Sequence, residues 1–232
     1  DRFDEAGFVP DQQLVLAPDA PQRGLLTDLR PADSDGRVLG SPRTAQRKGN
    51  ALPEIKEVLA ANKEYAENFG FRANLGGRPS EHLAVLTCMD ARVEPKKVLG
   101  LEIGEANIIR NAGARVTEDA VRSLVASTKM LGADTIFVMH HTNCGMAQRT
   151  DDEVIDHVSE GVKDGREAAE EIEWESIESE PESLIEDVRR LRANPLISSD
   201  IPIHGLLMDI ETGQVVEVPE ATDLGTSALA EG

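Results

Sequence analysis

This chain of 232 residues predicts an α/β fold: a central, mostly parallel sheet of four to five strands flanked by helices, preceded by an extended N-terminal arm. Three observations predict it. Short continuous apolar runs at Leu83–Cys88, Ala106–Asn111 and Thr135–His141 have the length and branched content of strands buried on both faces, as parallel strands are. A stretch of helical period with its own start and stop signals separates the second run from the third. Two of the three runs end in side chains that bind metals, at the strand ends where open α/β sheets hold ligands.

Residues 1–50 are rich in Pro, Asp, Gly, Arg and Gln with no sustained period, and read as an arm or a disordered leader. From Leu52 to Phe69 the apolar positions Ile55, Val58, Leu59, Ala66 and Phe69 recur at helical spacing, with Pro53 near the start and Gly70 after the end. The strand at Leu83–Cys88 follows, then the one at Ala106–Asn111. Thr117 or Asp119 caps a helix whose face carries Val121, Leu124, Val125, Thr128 and Leu131, and Gly132 stops it. Residues 150–190 are strongly acidic with helical patches, notably Leu184, Val188 and Leu191 ahead of Asn194-Pro195. Two more strands are expected at Ile203–Ile210 and Val215–Val218, around the turn Glu211-Thr212-Gly213. Residues 51–218 therefore form one domain, and 219–232 a polar C-terminal tail. There is no internal repeat and no second core.

Composition narrows the function classes. The 43 acidic residues outnumber the 24 basic ones, for a net charge of -19. Phosphate binding needs a basic footprint, so nucleic acid and an anionic membrane surface are disfavoured as partners. Only seven of the basic residues are Lys, and an acidic, lysine-poor surface suits a high-salt interior. No run of about 18 apolar residues is present to span a membrane, and no secretory signal is visible. Two cysteines in a chain of this size indicate metal or catalysis in a reducing compartment, here the cytoplasm, rather than a disulfide framework.

Those two cysteines are placed as metal ligands. Cys88 closes the first run and opens Cys88-Met89-Asp90-Ala91-Arg92, while Cys144 follows the third run in His140-His141-Thr142-Asn143-Cys144-Gly145. One thiolate, then an imidazole and a second thiolate three residues apart, make a Cys2His set for Zn2+ that leaves a fourth position open. The plainer alternative is two buried thiols packed as small hydrophobes. If the first and third strands are neighbours, Cys88 and His141 converge at one sheet end. Cys144 and Gly145 would then open the next helix, whose free N–H groups favour anions. Zinc with two thiolates is neutral, so an oxyanion needs further help, and Asp90 with Arg92 offers it. Arg92 forks onto the Asp90 carboxylate and fixes it as an acceptor beside the open position. Alternatively Asp90 binds the metal as a fourth ligand and closes the site, or the pair is an ordinary surface ion pair. Strand alternation turns His140 away from His141, towards packing. His82, His157 and His204 have no motif partners.

Cys88-x-Asp90-x-Arg92 with His141-x-x-Cys144 resembles the signature of the beta-class carbonic anhydrases. The likeness runs from Leu83 to Met146, including Asn107-Ile108-Ile109-Arg110-Asn111-Ala112-Gly113, and loosely over residues 52–218. It is closest to the short branch that also contains carbonyl sulfide and carbon disulfide hydrolases. The resemblance implies a zinc-hydroxide enzyme for the reversible hydration of carbon dioxide to bicarbonate and a proton. Cys88, His141 and Cys144 would hold the metal, Asp90 and Arg92 would form the catalytic dyad, and the N–H of Gly145 would bind substrate or product oxygen. It also implies a homodimer or a dimer of dimers. Asn143 departs from the aspartate frequent at that place in the branch. The runner-up is hydrolysis of carbonyl sulfide or carbon disulfide at the same metal, and a third reading is a non-catalytic zinc-stabilised or redox-sensing protein.

Overall fold

A computed structural model describes residues 54–226, so the arm expected at 1–50 lies outside the described residues. Contacts within the chain divide it between Asn62 and Lys63 into two units. The sheet and everything built on it belong to the second. Helix α1 (Ile55–Glu67) occupies the segment of helical spacing, and Gly70, at φ 55°, turns the chain after it.

Five strands form one sheet in the order β2-β1-β3-β4-β5: β1 Leu83–Cys88, β2 Ala106–Asn111, β3 Thr135–His141, β4 Ile203–Met208 and β5 Val215–Glu217. The first four run parallel, and β5 returns antiparallel to β4. The chain leaves β1 for β2 on one side and then crosses to β3 on the other. The sheet order therefore reverses between β1 and β3, and the crevice at their carboxyl ends is the place for a ligand. β1 is buried at all six positions because it lies between neighbours on both sides and carries only apolar and small residues.

One face of the sheet carries most of the core. Helix α3 (Glu118–Lys129) sends Leu124 into it, α6 (Glu180–Arg192) sends Leu184, Val188 and Leu191, and α7 (Pro219–Thr226) sends Ala221. These meet Ala84, Leu86, Ile136, Val138 and Ile203 from the strands. Thr117, not Asp119, caps α3: its hydroxyl accepts from the Ala120 N–H, while Glu118 and Asp119 occupy the first turn, where the helix dipole favours negative charge. On the second face, the short α2 (Pro95–Val98) and the residues beside it pack Val93, Val98 and Leu99 on Met139 and Met208. Farther along, Ile108 and Phe137 stay half-buried, so cover on this second face is thinner than on the first.

Two expectations are corrected. No α-helix begins at Cys144; Gly145–Ala147 is a single 3-10 turn, and the next helix, α4 (Asp151–Ser159), starts at the capping box of Thr150 and Glu153. The C-terminal segment is not a polar tail over its first part. Pro219–Thr226 is helix α7, and it packs on β4 so closely that Gly225 and Gly205 have no room for a side chain. The acidic region contains α4, α5 (Gly165–Glu170) and the start of α6.

Candidate metal centre

β1 and β3 pair in register from Leu83↔Thr135 to Thr87↔Met139, which brings the next residues, Cys88 and the His140-His141 end of β3, to the same edge. The turn after β3 then folds Cys144 back. It does so through Asn143 at φ 53°, a left-handed conformation that Asn tolerates better than most residues. The ligand atoms of Cys88, His141 and Cys144 all lie within 4.8 Å of one another, and all three residues are buried. Sequence reasoning placed these three together, and so does the structure.

The group fits a zinc ion. The sulfurs of Cys88 and Cys144 are 3.8 Å apart. Two zinc–sulfur bonds of about 2.3 Å at a tetrahedral angle require a separation of about 3.8 Å. His141 Nδ1 sits 2.9 Å from the Thr142 carbonyl and donates to it, which leaves Nε2 as the lone-pair nitrogen. That Nε2 is buried with no hydrogen-bond partner. A buried lone pair beside two sulfurs is costly unless a cation meets it.

Electrostatics point the same way. The Cys144 thiol beside it holds Cys88 down to about 4 against the opposing effect of burial, helped by His141 and by the backbone N–H groups of Asp90 and Gly113. Cys144 is pushed far above the ordinary thiol range by the Cys88 thiolate and by burial. Burial alone would lower His141, but the Cys88 sulfur and the Thr142 carbonyl outweigh it and raise the imidazole above its usual value. Without metal the group therefore keeps a buried thiolate at Cys88 against the effect of burial, negative charge that a cation among the three would meet.

Asp90 and Arg92 form the fork expected of them. Arg92 Nε donates to Asp90 Oδ1 at 2.9 Å and Nη2 to Oδ2 at 2.7 Å, and the Arg92 backbone N–H adds a third bond to Oδ1. These bonds hold the carboxyl well below the usual carboxylate range, so Asp90 is ionised and acceptor-only. Its Oδ2 is 3.9 Å from His141 Nε2, at the rim of the metal group but outside it. Arg92 Nη2 also donates to the Asn143 carbonyl at 3.2 Å, tying the fork to the loop that carries Cys144. Gly145 is exposed just beyond, with nothing near its Cα substituent position.

Several contributors were not singled out by sequence reasoning. Arg110, at the end of β2, donates to the carbonyls of Cys88 at 2.9 Å and Asp90 at 2.8 Å, clamping the strand end that bears both residues. The sequence carried it only within the string of residues 107–113; its register opposite Thr87, one residue before Cys88, exists only in the folded sheet. Ile177, from the acidic region, packs with Ala114 against Cys88 and Cys144 and seals the thiols from water. Gly113, at φ 77°, lets the chain pass under it: a Cβ there would sit 3.3 Å from Ile177 Cδ1. His140 turns to the opposite face, as alternation requires, and meets Asp187 of α6 at 3.1 Å. His204 pairs with Glu217 and His82 with the Gly132 carbonyl, both away from the centre.

Comparison with known proteins agrees with this geometry. The profile of the carbonic anhydrase family matches residues 83–215. The chain is 37% identical over 162 residues to beta-carbonic anhydrase 1 of Mycobacterium tuberculosis, covering 70% of this chain and 96% of that one. It is 34% identical over 178 residues to the carbon disulfide hydrolase of an Acidianus strain, covering 68% and 87%. Among solved structures, the carbonic anhydrase of Streptococcus mutans superposes with a TM-score of 0.65 at 37% identity, over 72% of this chain and 99% of that one. The match spans both ligand-bearing strands and the reversal between them, and the chain belongs to the carbonic anhydrase family, in its beta class.

Proposed function

We propose that the protein is a zinc enzyme that hydrates carbon dioxide reversibly to bicarbonate and a proton. The observation that carries this reading is the Asp90–Arg92 fork at the rim of the Cys88–His141–Cys144 group, in a chain of this family. Cys88, His141 and Cys144 would hold the zinc that beta-carbonic anhydrases use. When bound, zinc acidifies water and so supplies a hydroxide nucleophile near neutral pH.

The remaining work falls to the chain's own residues. Asp90, kept ionised, accepts the nucleophile's hydrogen bond at Oδ2 and turns its lone pair towards the carbon of the substrate. Arg92 fixes that carboxylate through both oxygens and, through the Asn143 carbonyl, keeps it in step with the Cys144 loop. Arg110 prevents the Cys88–Asp90 segment from shifting. The exposed N–H of Gly145 receives a substrate or product oxygen. If Asp90 leaves Arg92 it can reach the metal as a fourth ligand and close the site, a resting alternative to the arrangement seen here.

A second reading shares every one of these residues. The likeness to carbon disulfide hydrolases favours carbon disulfide or carbonyl sulfide as an alternative electrophile at the same metal. Measuring carbon dioxide hydration beside carbonyl sulfide and carbon disulfide hydrolysis on one zinc-loaded sample separates the two. Carbon dioxide turnover that exceeds the others by orders of magnitude is expected; the reverse ranking replaces the reading. We further propose a cytoplasmic homodimer or dimer of dimers. Free buried thiols suit a reducing compartment. The half-buried row of Ile108 and Phe137, with exposed Phe69 and Leu75, is apolar surface that a second copy would cover.

A further inference from the structure

Asp187 is fully buried, yet it lies on α6, a helix that contributes nothing to the metal group itself. Its two oxygens take three donors. Oδ2 accepts from His140 Nε2 at 3.1 Å and from Arg115 Nε at 2.8 Å, and Oδ1 accepts the Val116 backbone N–H at 3.1 Å. One donor belongs to the strand end that holds a ligand, and the other two to a turn that packs against the thiols. His140 immediately precedes His141 at the end of β3. Arg115 and Val116 continue the turn from Ala114, which packs against Cys88 and Cys144. Arg115 then extends the link: its Nη1 donates to the Glu175 and Ser176 carbonyls at 2.9 and 3.2 Å, just before Ile177, which covers both thiols.

We infer that Asp187 is a positioning residue for the metal site, a buried carboxylate that locks the strand end bearing His141 to the loop behind Cys88. This rests on the zinc reading above. A buried ion pair is not needed to stabilise a core, because well-packed apolar residues of similar volume do as well or better. What an apolar residue cannot do is fix three donors, from the His141 strand end and from the turn behind Cys88, in defined directions. The carboxylate acts at one remove from the metal, through the neighbour of His141 and the turn behind Cys88, much as the carboxylate partners of metal-bound histidines act through the ring.

The test uses the full-length, zinc-loaded protein with Asp187→Asn, which keeps the shape but offers too few acceptor sites for three donors. Zinc release to an excess of colorimetric chelator should accelerate roughly ten-fold or more. The thiolate-to-cobalt charge-transfer bands of the cobalt-substituted protein should shift, and kcat should fall with KM kept. Ile203→Val, in the same core but far from the ligands, serves as a comparator that loses stability alone. Release rate and cobalt spectrum matching those of the wild type and of Ile203→Val, with only a lower Tm, would overturn the role. Should Asp187→Asn not fold, His140→Leu removes one donor, and faster zinc release is expected there too; an unchanged rate overturns the role in the same way. A wild-type protein that holds no zinc overturns both this role and the function it rests on, whereas tight zinc in the wild type with an indistinguishable variant overturns only the role of Asp187.

Discussion

At the scale of single residues, the centre is economical: three ligands, one carboxylate and two arginines account for its chemistry. Cys144 is the ligand whose loss is easiest to interpret, because its neighbours stay in place. Cys144→Ser exchanges a thiolate for a neutral hydroxyl, a poor zinc ligand, and tight binding should be lost. Elemental analysis of the purified variant checks this, and a full equivalent of zinc would remove Cys144 from the set. Asp90→Asn should behave in the opposite way, keeping zinc and losing turnover by roughly 10²-fold or more, as expected when a positioned proton acceptor is removed. Near wild-type turnover from pH 6 to 9 would deny the dyad a catalytic role. The ligands and the dyad were legible in the sequence because each string is local: two and four residues after Cys88, three residues before Cys144. Arg110 and Asp187 were not, since Arg110 acts through backbone carbonyls and Asp187 meets its partners 47 to 72 residues away in the chain.

At the scale of elements, legibility followed side-chain size. The boundaries of β1, β2 and β3 could be read because branched apolar runs announce buried strands. The turn after Cys144 was misread as a helix, since nothing in Gly145-Met146-Ala147 distinguishes one turn from several until Thr150 supplies a cap. Helix α7 was missed because the residues that seat it, Ala221 and Gly225, carry almost no hydrophobic signal. Their smallness is their function. A Cβ on Gly225 would lie 1.9 Å from the Ile203 carbonyl oxygen, a backbone atom that cannot turn aside. Gly225→Ala should therefore lift α7 from β4 and cost about 1–3 kcal/mol, the usual penalty of overpacking, measured by urea unfolding. Unchanged stability would mean that α7 does not dock as described. The edge strand β5 gives a pH-dependent counterpart. His204 and Thr222 hold the Glu217 carboxyl below its usual value. The folded value is thus lower than the unfolded one, so the stabilisation is complete above the ordinary carboxylate range and fades as pH falls through the lower folded value. Glu217→Gln should cost about half a kcal/mol at pH 6, as exposed pairs do, and nothing at pH 2. An equal loss at both values would assign the effect to packing.

At the scale of the whole molecule, charge and apolar surface pull against each other. Each chain carries a net charge of -19, so two copies repel before they touch. Yet the second sheet face is thinly covered, and half-buried Ile108 and Phe137 stand in one row with Val85, which lies between them in register. Association into the proposed dimer would be favoured by burying that surface and opposed by long-range repulsion. The two forces respond differently to salt. At about 0.1 M ionic strength repulsion reaches roughly 10 Å, and at 1 M only about 3 Å, while apolar burial is not screened at all. The dimer dissociation constant should therefore fall as salt rises, and sedimentation equilibrium at several ionic strengths measures it directly. An interface built from opposite charges would show the reverse trend, tightening at low salt. Active monomers at nanomolar concentration in 1 M salt, where repulsion is weakest and burial undiminished, would show that a single chain is sufficient and that the half-buried row serves some other purpose.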